Sequence, residues 1–165
     1  MPEKSFQGSA ELASLTAATL KEIDRLDEIV VGIGPGSYTG LRVAVATALG
    51  MKLALVCRTF GCPSVLGYSE ENYLVVGDAR RGALFLAEIR AGKLSELPRL
   101  VPRAEIGAEI SKANLKRIFV TSPIPELPEA EVVLPHARYL AGRDECYADL
   151  HEPIYLKEPH ITKPK

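Results

Sequence analysis

Nine residues limit what this chain can become more than any others: Gly32-Ile33-Gly34-Pro35-Gly36-Ser37-Tyr38-Thr39-Gly40. Four glycines and a proline forbid regular structure and open backbone angles closed to other residues. Just before them, Glu28-Ile29-Val30-Val31 is a short aliphatic run of the kind a buried parallel strand shows. Just after them, Leu41 to Val56 is sixteen residues dominated by Ala, Leu, Val and Met, which reads as a helix reaching about Arg58. Strand, glycine loop and helix in that order aim backbone N–H groups and a helix N-terminus at an anion. Gly34, Gly36, Ser37, Thr39 and Gly40 are the candidate cradle, and Ser37 and Thr39 are the candidate N-caps. The loop lacks the Gly-Lys-Ser/Thr ending of a P-loop, and its third glycine falls out of register for a dinucleotide fingerprint. On these residues alone, an anion site and a tight packing turn both stand open.

The helix behind the loop carries a second message. Its clearly polar members, Arg42, Thr47 and Lys52, fall at about 0°, 140° and 280° around the axis at roughly 100° per residue, so they share no face. A helix without a wet side needs cover on two sides. One side is its own sheet, and in a chain of 165 residues the other is expected to be a second molecule.

Composition narrows the classes. Lys and Arg number 20 against 21 Asp and Glu, so no net field draws nucleic acid to the chain, and any link to RNA is expected to be indirect. Trp is absent and aromatics are few, which leaves no stacking platform for single strands. The Leu41–Val56 run holds two cations and is slightly short for a membrane span, and Met1-Pro2-Glu3-Lys4 does not open a secretory signal. Cys57, Cys62 and Cys146 form no Cys-x-x-Cys pair, and their odd count points to reduced thiols in a cytoplasmic protein.

Along the chain, residues 1–8 read as a loose terminus. A helix opens at Ser9 with Leu12, Leu15, Leu20 and Ile23 on one stripe, and the 28–33 strand follows. Gly61-Cys62-Pro63-Ser64 is a break, and Val65 to Glu71 reads as a short helix. Residues 73–90 read as a β-hairpin turning at Gly77–Gly82. After a proline-spotted middle come a weak helix over 103–112, strands near 116–120 and 131–134, a short helix over 137–143 and an extended end from His151. Strands alternating with helices make the class α/β. The hairpin tip sets Asp78 beside Arg80 and Arg81. A carboxylate can hold a metal and arginines can clamp phosphate, but an Asp opening a turn between solvated arginines is the commoner arrangement. His136, His151 and His160 show no metal spacing, and Ser37 is not in a Gly-x-Ser-x-Gly elbow, so no catalytic set assembles and no metal site is expected.

Four stretches, in this order, resemble the TsaB (YeaZ) family. Asp27 to Arg42 is similar to the family signature, and Gly61-Cys62-Pro63-Ser64-Val65-Leu66 to its Gly-Val-Ser-Thr-Leu step. Gly77-Asp78-Ala79-Arg80-Arg81-Gly82-Ala83-Leu84-Phe85 is similar to its Asp-Ala-Arg-x-Gly-x-Val-Tyr hairpin, and Pro153-Ile154-Tyr155-Leu156-Lys157 to its closing Pro-x-Tyr-Leu-Arg. The first and third are specific. The resemblance implies an actin-like ATPase (ribonuclease H-like) fold, with a first lobe over residues 1–60 and a second over 61–165. It implies a non-catalytic accessory role in making N6-threonylcarbamoyladenosine on tRNA. The partners it implies are a TsaD-like transferase subunit, a TsaE-like ATPase and, alone, a second copy of the chain. Pairing would use the helices at about 9–23 and 39–56, with Leu12, Leu15, Leu41, Val45, Leu49 and Lys52 as the expected contact face.

Family members open with a β-hairpin near Ile-Leu-x-Ile-Asp-Thr-Ser/Ala, which this sequence does not show. The expectation is an N-terminally shortened first lobe with half the phosphate cradle gone. ATP or ADP would then be held at most at a complex interface, and the bare edge of the 28–33 strand would be covered by a partner or the second lobe. The competing class is an enzyme, a nucleotide-dependent phosphotransferase or hydrolase using Gly34–Gly40 as cradle and Asp78 for metal.

Overall fold

The structure is a computed structural model and describes residues 9–143, 146 and 153–156; the loose terminus expected over 1–8, and His151 and His160, lie outside the described residues. The first part of the chain is a β-α-β unit preceded by a helix. Helix α1, Ser9–Leu20, is built from good helix formers and closes with the Lys21 and Glu22 amides on the Ala18 and Thr19 carbonyls. Strand β1, Glu28–Gly32, leads through the glycine loop into α2, Tyr38–Leu55. The chain then returns as β2, Arg58–Cys62, parallel to β1 from the Glu28↔Arg58 pair to the Gly32↔Cys62 pair. Two expectations are corrected here. The helix stops at Leu55 and not near Arg58, because Val56 takes a left-handed conformation (φ 53°). What reads as the edge of a break is in fact the strand that pairs β1.

The second part is a six-stranded sheet. Strands β3, Tyr73–Asp78, and β4, Ala83–Arg90, form the expected antiparallel hairpin. Beyond β4 lie β5, Lys93–Leu94, and β6, Arg99–Pro102; beyond β3 lie β7, Ile118–Val120, and β8, Glu131–Val132, both parallel to β3. Strand β6 corrects the reading of 94–102 as irregular: its one proline, Pro102, suits an outer strand, where a missing N–H costs little. Helix α3, Ile106–Ala113, follows a single 3-10 turn, and the helices expected at 65–71 and 137–143 are 3-10 turns at Ser64–Leu66 and Ala137–Tyr139.

Alternation along the hairpin sends side chains to two faces, and both are buried. One face gathers Tyr73, Val75, Phe85, Ala87, Ile89 and Phe119 beneath Val65, Leu66, Tyr68 and Leu140. The other gathers Leu74, Val76, Leu84, Leu86 and Val120 beneath Ile106 and Ala113 of α3. On the first face Tyr68 stacks on Phe119, and its phenol donates to the Val133 carbonyl while that of Tyr73 donates to the Val65 carbonyl. Burial pushes the Tyr68 phenol up to about 12 and the Tyr73 phenol higher still, so both are neutral donors in water. The Val30 side chain of β1 packs against this face; along its edges β1 pairs with β2 alone among the described residues.

Candidate functional site

The glycine loop is locked by its own chain at one end and open at the other. The Ile33 amide donates to the Cys62 carbonyl. Ser64 then holds Gly34 from both sides: the Gly34 amide donates to the Ser64 hydroxyl at 3.0 Å, and the Ser64 amide donates to the Gly34 carbonyl at 2.8 Å. Gly34 sits at φ +104°, where a side chain is strained, and a Cβ there would come within 2.9 Å of Leu41 and 3.2 Å of the Ile154 carbonyl oxygen. At Gly32 a Cβ would meet the Ser64 hydroxyl at 2.7 Å. Both positions are therefore dictated by close packing within the chain.

Past Pro35 the loop turns outward, and Gly36, Ser37, Thr39 and Gly40 are exposed. Ser37, not Thr39, is the N-cap: it is extended (φ −60°, ψ 123°), its hydroxyl accepts from the Gly40 amide at 3.4 Å, and its carbonyl accepts from the Leu41 amide at 2.9 Å. An anion here would meet the remaining amides of the first helical turn and the positive end of α2. The inner amides, those of Ile33 and Gly34, are already committed, so the cradle is shorter than the spacing of glycines suggests.

The closing segment lies over this loop. The Ile154 amide donates to the Ile33 carbonyl at 2.8 Å, and Leu156 packs against the core of the larger sheet. Tyr155 stands beside the start of α2: the Arg42 Nε donates to its hydroxyl at 3.1 Å, and its ring lies 5.0 Å from that of Tyr38. The Arg42 guanidinium in turn lies 4.1 Å over the Tyr38 ring. Ser64 and Tyr155 are the residues that reading the sequence for a site missed. Each belongs to a stretch that resembles the family motifs, which was the signal available.

The hairpin tip is committed as a turn. The Asp78 carboxylate accepts from the Arg80 amide at 2.7 Å and faces Arg103 at 3.4 Å, while Arg103 also pairs with Glu126 at 2.9 Å. The Arg80 amide first, and Arg103 second, hold the Asp78 carboxyl below its ordinary range. Arg80 and Arg81 are exposed at φ 63° and 51°. Among the described residues no group of three His, Cys, Asp or Glu could hold a metal.

The apolar face of α2 is displayed to solvent. Leu41 is buried against the glycine loop, which takes it off the accessible face, and Val45 is half-buried. Leu49 is 39% exposed, Leu53 83% and Val56 92%, with Lys52 and Ala46 exposed beside them. Leu12 and Leu15 of α1 are half-buried; α1 packs on α2. Leu53 and Val56, unlike Leu49, lay outside the contact residues chosen from the sequence. Among the described residues no helix is long and apolar enough to cross a membrane.

Comparisons with known proteins bear on this arrangement. Residues 9–95 match the family model described as TsaD: tRNA N6-adenosine threonylcarbamoyltransferase. An uncharacterised protein of Mycobacterium tuberculosis is 42% identical over 79 residues, 46% of this chain and 37% of its own length. One of Mycobacterium leprae is 44% identical over 70 residues, 41% of this chain and 20% of its own length. The chain thus spans well under half the length of these relatives. YeaZ from Pseudomonas aeruginosa superposes with a TM-score of 0.66 at 21% identity, covering 89% of this chain and 85% of that one. A second crystal structure, of a protein described as similar to peptidase YeaZ from Pseudomonas aeruginosa, superposes with a TM-score of 0.65 at 23% identity, covering 90% and 83%.

Proposed function

This chain belongs to the TsaD (tRNA N6-adenosine threonylcarbamoyltransferase) family as a TsaB-like member with the actin-like, ribonuclease H-like fold, and from that premise we propose that it is an accessory subunit of tRNA N6-threonylcarbamoyladenosine synthesis that binds a TsaD-like transferase subunit without performing the chemistry itself. The observation that carries this reading is the uncovered face of α2. Leu53 and Val56 are almost wholly in water. Each would contribute roughly 1.5–3 kcal/mol on burial, taking about 25 cal/mol per Å² of apolar area. Gly50 supports it: a Cβ there would meet nothing within 4 Å, so the helix gives up about 0.5–1 kcal/mol of helix stability at a position its own fold leaves unconstrained. Val56 does so again, as a β-branched side chain held in the left-handed region and pointed into solvent.

In this reading α1 and α2 dock on the transferase subunit, or on a second copy when that subunit is absent, and a TsaE-like ATPase joins the assembly. The tRNA meets the partner first, since charges of 20 against 21 give this chain no field to gather phosphates. A nucleotide belongs at a shared interface, because the inner half of the glycine loop is spent on Ser64 and Cys62. The test is Leu53→Asp with Leu49→Asp. The variant should keep its far-ultraviolet circular dichroism and lose both capture of the transferase subunit and self-association in size-exclusion chromatography. Undiminished capture would overturn the interface. Magnesium-ATP turnover by the isolated chain would overturn the accessory role and favour the phosphotransferase or hydrolase.

A further inference from the structure

We propose that residues Pro153–Leu156 are a latch that sets the conformation of the glycine loop and the first turn of α2. Three contacts reach the loop and the first turn of α2, and a fourth anchors the segment in the larger sheet. The Ile154 amide holds the Ile33 carbonyl, the last backbone group before Gly34. The Ile154 carbonyl oxygen closes the space a Cβ on Gly34 would need. The Tyr155 hydroxyl accepts from Arg42 Nε, and its ring flanks Tyr38 at 5.0 Å, so the first turn of α2 is gripped at two positions one helical turn apart. Leu156 anchors the segment against the first core of the larger sheet.

The arrangement is a coupling and not merely a terminus lying on a surface. Buried apolar side chains that could hold this loop unaided are few: Ile33 and Leu41 are those between β1 and the second turn of α2, and neither belongs to the two main core clusters. Cys62 and Ser64 tie the inner half of the loop, Ile33 and Gly34, to the part of the molecule that has a core; the latch adds a second tie that reaches on to Tyr38 and Arg42. Lifting Tyr155, by a partner that takes the ring for itself, therefore frees the start of α2 while the larger sheet stays folded. The inference stands apart from the proposed function: it concerns the order of the loop, whatever the α2 face binds.

Hydrogen–deuterium exchange on the full chain tests it. In Tyr155→Ala the amides of Ile33, Gly34, Leu41 and Arg42 should exchange about tenfold faster or more, as loss of a charge-assisted hydrogen bond together with its ring contacts implies. The amides of β3 and β4 should exchange at the wild-type rate. Unchanged exchange at Ile33–Arg42 would overturn the latch. An equal rise in β3 and β4 would overturn it as well, because Tyr155 would then serve global stability. Should Tyr155→Ala fail to fold, Tyr155→Phe and Arg42→Gln decide by the same readout. Each deletes the hydroxyl–guanidinium contact with little change in bulk and should give about a threefold rise confined to the same amides. No rise in either would likewise refute the latch.

Discussion

The β1–α2–β2 unit and the six-stranded sheet come from one chain and are held together in different ways. The larger sheet is covered on both faces: alternate residues of β3 and β4 enter two separate cores, and Tyr73, Leu74, Val75 and Leu84 are fully buried. The smaller unit has two strands, and the buried residues of its long helix, Leu41 and Ala48, enter neither core. It keeps its shape through particular polar contacts: Ser64 on Gly34, Ser37 on Gly40, Tyr155 on Arg42. The larger region is secured mainly by area; in the smaller, Cys62 and Val30 reach the first core while the loop and the start of α2 rely on a few directional bonds. The second kind of region is the kind that partners complete, since low local stability goes with surfaces that move or dock.

The contrast breaks or sharpens under mutation. Leu74→Ala should cause the largest loss, about 3 kcal/mol in urea unfolding, because it empties a site at 0% exposure between the sheet and α3. A loss under 1 kcal/mol would mean the larger sheet is not the stable half. Ser64→Ala should cost about 1–2 kcal/mol by leaving the buried Gly34 amide without its acceptor. Thermal melts followed by exchange should place that loss in the glycine loop. Leu53→Asp should change the unfolding free energy of the free chain by no more than about 0.5 kcal/mol, for the side chain touches little of its own molecule. A larger drop would show the α2 face already covered.

The smallest effect concerns pH. Asp78 has its carboxyl lowered in the folded state, chiefly by the Arg80 amide. Its contribution is therefore fully present above the unfolded value of about 3.9 and is lost as pH falls through the lower folded value. Glu109, lowered by Lys112 and then Arg99, behaves the same way. Acidification below about pH 4 should loosen the Ala79–Ala83 turn, visible in its amide chemical shifts, and Asp78→Asn should remove that step.

What the sequence made legible follows from range. The Ala- and Leu-rich run of α2, the aliphatic β1 and the alternating hairpin of β3 and β4 are set by local pattern, and each was found. Strand β2 was not, because Arg58-Thr59-Phe60-Gly61-Cys62 has neither an aliphatic run nor a clean alternation; it is a strand because β1 offers it a partner. Strand β6 hid behind Pro98 and Pro102 for a related reason. At the site, the glycines announced a close approach without saying by what. The answer is Ser64, 30 residues from Gly34, and the Ile154 carbonyl, whose neighbour Tyr155 meets Arg42 across 113 residues, both beyond any periodicity. A uniformly apolar helix does not declare which side its own loop will claim, and here the loop claims Leu41.

The rims of the larger sheet carry a consequence of their own. Its terminal strands β5 and β8 pair through two residues each, and the remaining outer strand β6 ends on a proline. Two-residue rims and a proline-ended one give a foreign strand little to pair with, which is how many proteins keep sheets from joining edgewise into aggregates. Stickiness on this half of the molecule is thereby blunted, so concentrating the protein should not readily start fibres from this sheet.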